Sequence, residues 1–331
     1  MAARILFPLA VVLAIVAVAL IGGSISFLQP LFSVALLYVA FAIFFFGFIA
    51  KVINWAKSPV PFRIPTTAGQ EFSLPWIKWS KIDNPSTLGG VLMRMFFEVC
   101  LFRSLFRNMR TDLRSGWLIH SPTKWLWLLA LGFHYSFLII AIRHLRLFLH
   151  PIPGVVETLD AIDGMFQIGI PPLYLSDIII SLCVTGLLIR RLFLPKVRFV
   201  SLAADYFPLF LIIAIITTGL LMRFVFRVDI TAVKALANGI VSFHPVVPKG
   251  IGAIFFVHLA LVCTLIAYFP FSKLMHMGGI FMSPTRNLAN TSRMAYHENP
   301  WRQPPKFHSY EEYEDMYRDY MKEAGLPLER E

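Results

Sequence analysis

The strongest constraint on this chain is a series of apolar runs, several of which approach or exceed the ~20 residues a helix needs to cross a hydrocarbon core, with most of the charge held between them. In lipid every backbone N–H and C=O must be paired within its own segment, so such runs must be helices. The expected spans are Met1–Gly22, Leu31–Ala50, Trp125–Leu149, Tyr174–Ile189, Phe207–Leu221 and Ile251–Phe271. Apolar residues make up 57% and charged residues 15% of the chain, whereas soluble domains are about a quarter charged. A soluble globular protein is therefore excluded. The net charge of +11 invites a nucleic-acid reading, but the basic residues collect between spans, as the bias toward positive cytoplasmic loops requires.

That bias sets the topology. Lys51 to Lys124 holds eleven basic and four acidic residues and belongs in the cytoplasm. Pro151 to Pro172 has Glu157, Asp160 and Asp163 and no Lys or Arg, which suits an external loop. The expectation is a six-helix transmembrane bundle, all-α, in a prokaryotic inner membrane with both termini cytoplasmic. The first run lacks a convincing cleavage site, so it is read as an uncleaved span. The chain divides into two N-terminal helices (1–50), a basic loop with an interfacial helix (51–124), a four-helix core (125–276) and a cytoplasmic tail (277–331). Within the loop, Pro59 to Pro75 should be extended. Arg103, Arg107, Arg110 and Arg114, at 4-3-4 spacing, should form one basic stripe on a helix over Leu92–Arg114, lying on anionic lipid or docking a soluble subunit. In the tail, Tyr310, Tyr313, Tyr317 and Tyr320 predict an amphipathic helix. It would meet an apolar partner surface or lie back on the protein's own inner face.

The chemistry lies in histidines. His134 and His144 share the third span, ten positions apart, and His258 and His276 lie eighteen apart on and just past the sixth. A helix rises ~1.5 Å per residue, so each pair occupies two depths, roughly 15 Å and 27 Å apart. A lone buried histidine is often only a helix-to-helix hydrogen bond, but four on two spans resemble axial ligands for two b haems. With the spans antiparallel, His144 pairs with His258 toward the outside and His134 with His276 toward the cytoplasm. The unequal spacings require inclined helices, and Pro270 should bend the sixth span before His276. Cys100, Cys183 and Cys263 form no iron–sulfur or c-type haem motif, so any such centre lies in a partner. Arg143, Arg146 and Arg223, at the outer ends of spans, are candidate haem-propionate partners, with snorkelling to lipid headgroups as the alternative. A two-haem path needs a lipid-soluble donor or acceptor, a quinone. Asp177, at the outer start of the fourth span, and Lys249, before the sixth, are candidates for its site; Asp177 could equally cap its helix.

The paired-histidine spacing resembles the respiratory nitrate reductase gamma subunit family, over roughly Leu31 to Asn287. The resemblance implies a small helical bundle passing quinol electrons through two b haems to a cytoplasmic iron–sulfur subunit. The extra N-terminal span, the long basic loop and the segment Ser283–Asn287 are more similar to the DsrM-like cytochrome b of the Dsr transmembrane complex and of heterodisulfide-reductase-like menaquinol-oxidising complexes. That resemblance implies exchange of electrons between menaquinone and a cytoplasmic iron–sulfur subunit resembling heterodisulfide reductase, in dissimilatory sulfur metabolism. It also implies further membrane and extracytoplasmic subunits, and places Ser283–Asn287 against the partner. The competing readings are the cytochrome b of a nitrate reductase, hydrogenase or formate dehydrogenase, a proton-coupled transporter, and a haem-free anchor.

Overall fold

The computed structural model describes residues 2–58, 69–165, 171–294 and 304–329. Helix α1 (Ala2–Ser24) leads through a 3-10 turn into a continuous apolar helix that starts as a π turn at Leu31–Ala35 and becomes α2 (Leu36–Ala56). Then come α3 (Leu88–Leu101), α4 (Arg103–Arg107), the strands β1 (Met109–Arg114) and β2 (Trp117–Pro122), and α5 (Lys124–His144). The rest of the chain forms α6 (Gly154–Asp163), α7 (Leu175–Phe193), α8 (Pro195–Val200), α9 (Ala203–Leu220), α10 (Ile230–Val241), α11 (Ala253–Tyr268), α12 (His276–Gly279) and α13 (Tyr310–Glu323).

Among the described residues, five helical segments are long and apolar enough to cross a membrane: Ala2–Ser24, Ser26–Ala56, Lys124–Leu147, Ala203–Val225 and Ala253–Phe271. They mark an integral membrane protein. Helix α7 spans 19 residues but carries Asp177, Arg190 and Arg191, so its composition does not by itself place it among them. The packing follows the logic of lipid as solvent: small residues face inward and large apolar ones outward. In α1 the buried residues are Pro8, Val12, Ala19, Gly22 and Gly23, while Leu6, Phe7, Leu13 and Ile21 are exposed. Val12 and Ala19 pack with Leu211 of α9 and Val257, Ala260 and Leu261 of α11. Gly132 lets α5 and α7 approach so closely that an added Cβ would stand 2.8 Å from Cys183 Sγ.

The basic loop departs from the expected single helix. Thr87 caps α3 by accepting from the Gly90 amide, but the helix stops at Phe102, whose φ is 49°. Arg110 and Arg114 then fall on β1, not on a helical stripe with Arg103 and Arg107. Ser115 (φ 50°) and Gly116 (φ 81°) supply the paired positive-φ positions of a two-residue hairpin turn, and this local signal overrides the 4-3-4 spacing. Arg103 and Arg107 instead bind Asp83. Burial pushes the Asp83 carboxyl up, yet the hydrogen bonds from Arg107 and Arg103 outweigh it and hold the group below the ordinary carboxylate value. Of the segment expected to be extended, 59–68 lies outside the described residues.

The segment Pro151 to Pro172, expected as an external loop, carries α6, and α10 stands between the fifth and sixth expected spans. Asp229 caps α10 by accepting from the Thr231 amide, and Val233, Leu236 and Ala237 bury its inner face. In the tail, α13 forms as expected. Tyr310, Tyr313, Tyr317 and Tyr320 are all exposed, and Glu314, buried, pairs with Arg318 and accepts from the Glu329 amide.

Candidate functional site

Three of the four candidate histidines lie on long helices and one does not. His134 is mid-way along α5 and His144 is its last residue. His258 lies in the first turns of α11. Ten residues separate His258 from Tyr268, where that helix ends, the same count as from His134 to His144. Beyond it Pro270 sits in a 3-10 turn, Ser272 is extended, and His276 opens the four-residue α12. The eighteen-residue spacing is therefore not one helical face, and the expected 27 Å of continuous axis is replaced by a bent chain. Pro270 removes the ladder amide and forces the break.

The structure brings His134 and His276 together. With metal–imidazole bonds of about 2 Å, two rings on opposite sides of one ion have centroids roughly 6 Å apart; those of His134 and His276 are 6.0 Å apart. His144 and His258 are near enough to interact electrostatically. All four rings share one hydrogen-bonding arrangement. Nδ1 of His134 lies 2.7 Å from the Ala130 carbonyl, Nδ1 of His144 2.7 Å from that of Ile140, and Nδ1 of His276 2.8 Å from that of Lys273. Carbonyl oxygens only accept, so each Nδ1 carries the proton. Nδ1 of His258 is 3.0 Å from Thr218 Oγ1, and that hydroxyl already donates to the Ala214 and Ile215 carbonyls, so here too the imidazole donates. A neutral imidazole has one proton. All four Nε2 lone pairs are thus left as ligands, and none makes a hydrogen bond among the described residues. This is the tautomer a metal-binding histidine needs. The residues present therefore fit two bis-imidazole haems.

Some of the support was not visible beforehand. Phe102, held in the left-handed conformation at the end of α3, sets its ring 5.0 Å from His134, and Phe133 lies 5.1 Å away on the other side of the sequence. Gly219, against which the His258 ring rests, would place a Cβ 3.4 Å from its Cε1. The Thr217-Thr218-Gly219 interruption in an otherwise bulky span was the available signal.

The end of the bundle that carries His144 is highly charged. Arg143, expected as a propionate partner, is committed to protein: it donates to Asp160 at 3.1 Å, to Asp163 at 2.8 Å and to Ser176 at 3.3 Å, and lies 3.2 Å above the centre of the Tyr174 ring. Arg146 binds Asp160 at 2.5 Å, and Arg223 donates to the Pro172 carbonyl and packs on Tyr174. The Nε atoms of Arg146 and Arg223 are buried and have no hydrogen-bond partner among the described residues. Burial raises the Asp160 carboxyl, but hydrogen bonds from Arg146 and Tyr174 prevail and leave it below the ordinary value. Asp177 does not cap α7, whose N-cap is Tyr174. Its carboxylate makes no hydrogen bond or ion pair among the described residues and lies in the electrostatic neighbourhood of Arg143, Arg223 and His144. Lys249 is exposed, four residues before α11, and is not joined to this cluster by any hydrogen bond or ion pair among the described residues.

The model of the nitrate reductase gamma subunit family matches residues 91–295, which include all four histidines. The chain belongs to that family. It is 43% identical over 279 residues to the Hdr-like menaquinol oxidoreductase cytochrome b-like subunit of Archaeoglobus profundus, covering 82% of this chain and 83% of the relative. It is 44% identical over 278 residues to the protein of the same name from Archaeoglobus fulgidus. The respiratory nitrate reductase 1 gamma chain of Escherichia coli is 34% identical over 110 residues, 30% of this chain and 49% of the relative. Among family members named here, similarity over most of the length thus lies with the menaquinol oxidoreductase subunits.

Proposed function

We propose that the protein is the di-haem cytochrome b of a membrane oxidoreductase, carrying electrons between menaquinone and a cytoplasmic iron–sulfur subunit resembling heterodisulfide reductase, in dissimilatory sulfur metabolism. The reading assumes six spans, α7 included, with both termini cytoplasmic. The observation that carries it is the common tautomer: four Nδ1 atoms donate, and four Nε2 atoms are left to ligate. His134 with His276 would hold the inner haem, and His144 with His258 the outer one. Haems held by imidazole on both faces have no open position and supply one-electron transfer, not oxygen chemistry. The full-length similarity to the Archaeoglobus menaquinol oxidoreductase subunits supports menaquinol as the lipid substrate.

The chain's own residues then do four things. The histidines orient the two planes, each fixed through its Nδ1–H. The buried Nε groups of Arg146 and Arg223 are donors for propionates, a role Arg143 leaves to them. Asp177, unpaired beside His144, takes the proton that a quinol releases as it is oxidised near the outer haem. The apolar spans keep water from the path between. The relatives' name as menaquinol oxidoreductase subunits supports the protein working as part of a complex, with the terminal substrate handled by a partner.

The test is haem content per chain in the four histidine-to-alanine variants. His144→Ala and His258→Ala should lose the same haem, and His134→Ala and His276→Ala the other. Retention of both haems by any of the four would overturn the ligand assignment.

A further inference from the structure

His276 is the ligand that no long helix holds. The α11 hydrogen-bond ladder ends at Tyr268, and the chain from Phe269 to Met282 is a succession of short turns. A ligand on such a segment is fixed only as well as the segment's ends are fixed, and both ends are pinned by charged groups from other elements. On the N-terminal side, Lys273 Nζ reaches Asp205 Oδ1 at 2.6 Å, and the Lys273 carbonyl accepts the His276 Nδ1–H. Asp205 is itself immobilised. It lies in the first turn of α9, accepts from the Leu202 amide at 3.0 Å and stands 3.6 Å from Arg191. Ser272 completes this end by accepting from the Leu274 amide at 3.1 Å.

On the C-terminal side stands Arg94 of α3, 1% exposed. Among the described residues its guanidinium makes no ion pair; it donates to the Arg286 carbonyl at 3.0 and 2.6 Å, to the Leu288 carbonyl at 2.7 Å and to the Asp83 carbonyl at 3.0 Å. A fully buried arginine satisfied by backbone carbonyls from two distant segments is an expensive arrangement and specifies one geometry for both. Asn84 with Asn290, 2.6 Å apart, and Glu71 with the Ser292 amide, at 2.6 Å, extend the same seam. The segment Ser283–Asn287, expected to face a partner, thus has its backbone tied to the chain's own cytoplasmic loop.

We infer that Arg94 and Asp205 are positioning residues for His276: acting through the Arg286 and Leu288 carbonyls and through Lys273, they, and not helix α11, hold its imidazole opposite His134. The inference rests on the proposed haem reading. It explains why α3 and the cytoplasmic loop are built into the fold instead of lying on it, and why the segment after α11 tolerates Pro270 six residues ahead of a ligand. Neither residue touches the haem site itself.

The test compares Arg94→Lys, Asp205→Asn and Lys273→Met with the unaltered full-length protein and with Glu157→Gln on the outer segment. The readouts are haem per chain and the low-spin electron paramagnetic resonance lines and midpoint potential of each haem. The expected result is selective. The lines and potential of the haem lost in His276→Ala shift, or that haem's occupancy falls toward half or less, while the other haem matches Glu157→Gln. Unchanged lines and potential for both haems in all three variants would overturn the inference. Equal losses at both haems would also overturn it, since a general packing defect does that. If Arg94→Lys fails to fold, Asp205→Asn and Lys273→Met still read the other clamp. A haem-free unaltered protein would instead sink the functional proposal, so the two failures are distinguishable.

Discussion

Replacing Arg143 by methionine isolates what holds the outer ends of α5, α6 and α7 together. The methionine keeps much of the stem's volume and removes the guanidinium that binds Asp160 and Asp163 and covers Tyr174. Asp163 is the group left exposed to the consequence: its side chain is 5% accessible. Removing one partner of a buried ion pair costs about 3–5 kcal/mol, because the remaining charge is stranded. Here the Ser176 amide at 2.7 Å and hydroxyl at 2.6 Å still donate to the carboxylate, which places the loss near the lower end, about 3 kcal/mol. Adding Asp163→Asn removes the stranded charge, so the double variant should recover part of the loss, with a coupling energy of about 1–3 kcal/mol across the cycle. The assay is unfolding of all four cycle members in detergent, followed by tryptophan fluorescence. An Arg143→Met protein within about 0.5 kcal/mol of the parent, or a cycle that is simply additive, would refute the claim that the arginine serves these carboxylates.

Other consequences can be checked separately. Gly132→Val should force α5 and α7 apart, since a Cβ would meet Cys183 Sγ at 2.8 Å; a loss of about 1–3 kcal/mol is expected, visible in the same unfolding assay. The carboxyls of Asp83 and Asp160 are held below their ordinary value in the folded protein. The unfolded state therefore binds more protons there, and the stability these groups contribute is present above the unfolded value, 3.8 for Asp83, and lost as pH falls through the lower folded value. Asp83→Asn should flatten the acid limb of a stability profile below about pH 4, and an unchanged limb would contradict the pairing with Arg103 and Arg107. Asp177→Asn should slow reduction of the protein by a menaquinol analogue roughly 100-fold, the low end of what a positioned proton acceptor contributes, with haem content and spectra intact; an unaltered rate removes Asp177 from the quinone site.

What was readable in the sequence was what lipid dictates. Apolar runs, the loop charge asymmetry and the histidines on two spans carry information at fixed helical spacing, and α1, α2, α5, α9 and α11 lie where those runs are. The chain's departures come from local backbone chemistry. Ser115-Gly116 turned a presumed helical arginine stripe into a hairpin, and Pro270 ended α11 eight residues short of His276. Arg94 looked like one more basic residue in a basic loop, because nothing in its neighbourhood signals that its partners are carbonyls some 192 positions away. The Nδ1 acceptors of His134 and His144 are the carbonyls one helical turn back, which any helical histidine has within reach, but the Thr218–His258 contact needed the packing of α9 on α11. Long-range polar pairing has no periodicity, and so leaves no trace in a single chain.

The central claim is that four histidines hold two b haems, and pyridine haemochrome quantitation with a dithionite-reduced minus oxidised spectrum of the purified, folded protein tests it most directly. The account predicts sharp low-spin b-type bands and two haems per chain, one of them lost in His134→Ala and the other in His144→Ala. A folded preparation, grown with adequate iron, that shows no haem would contradict it.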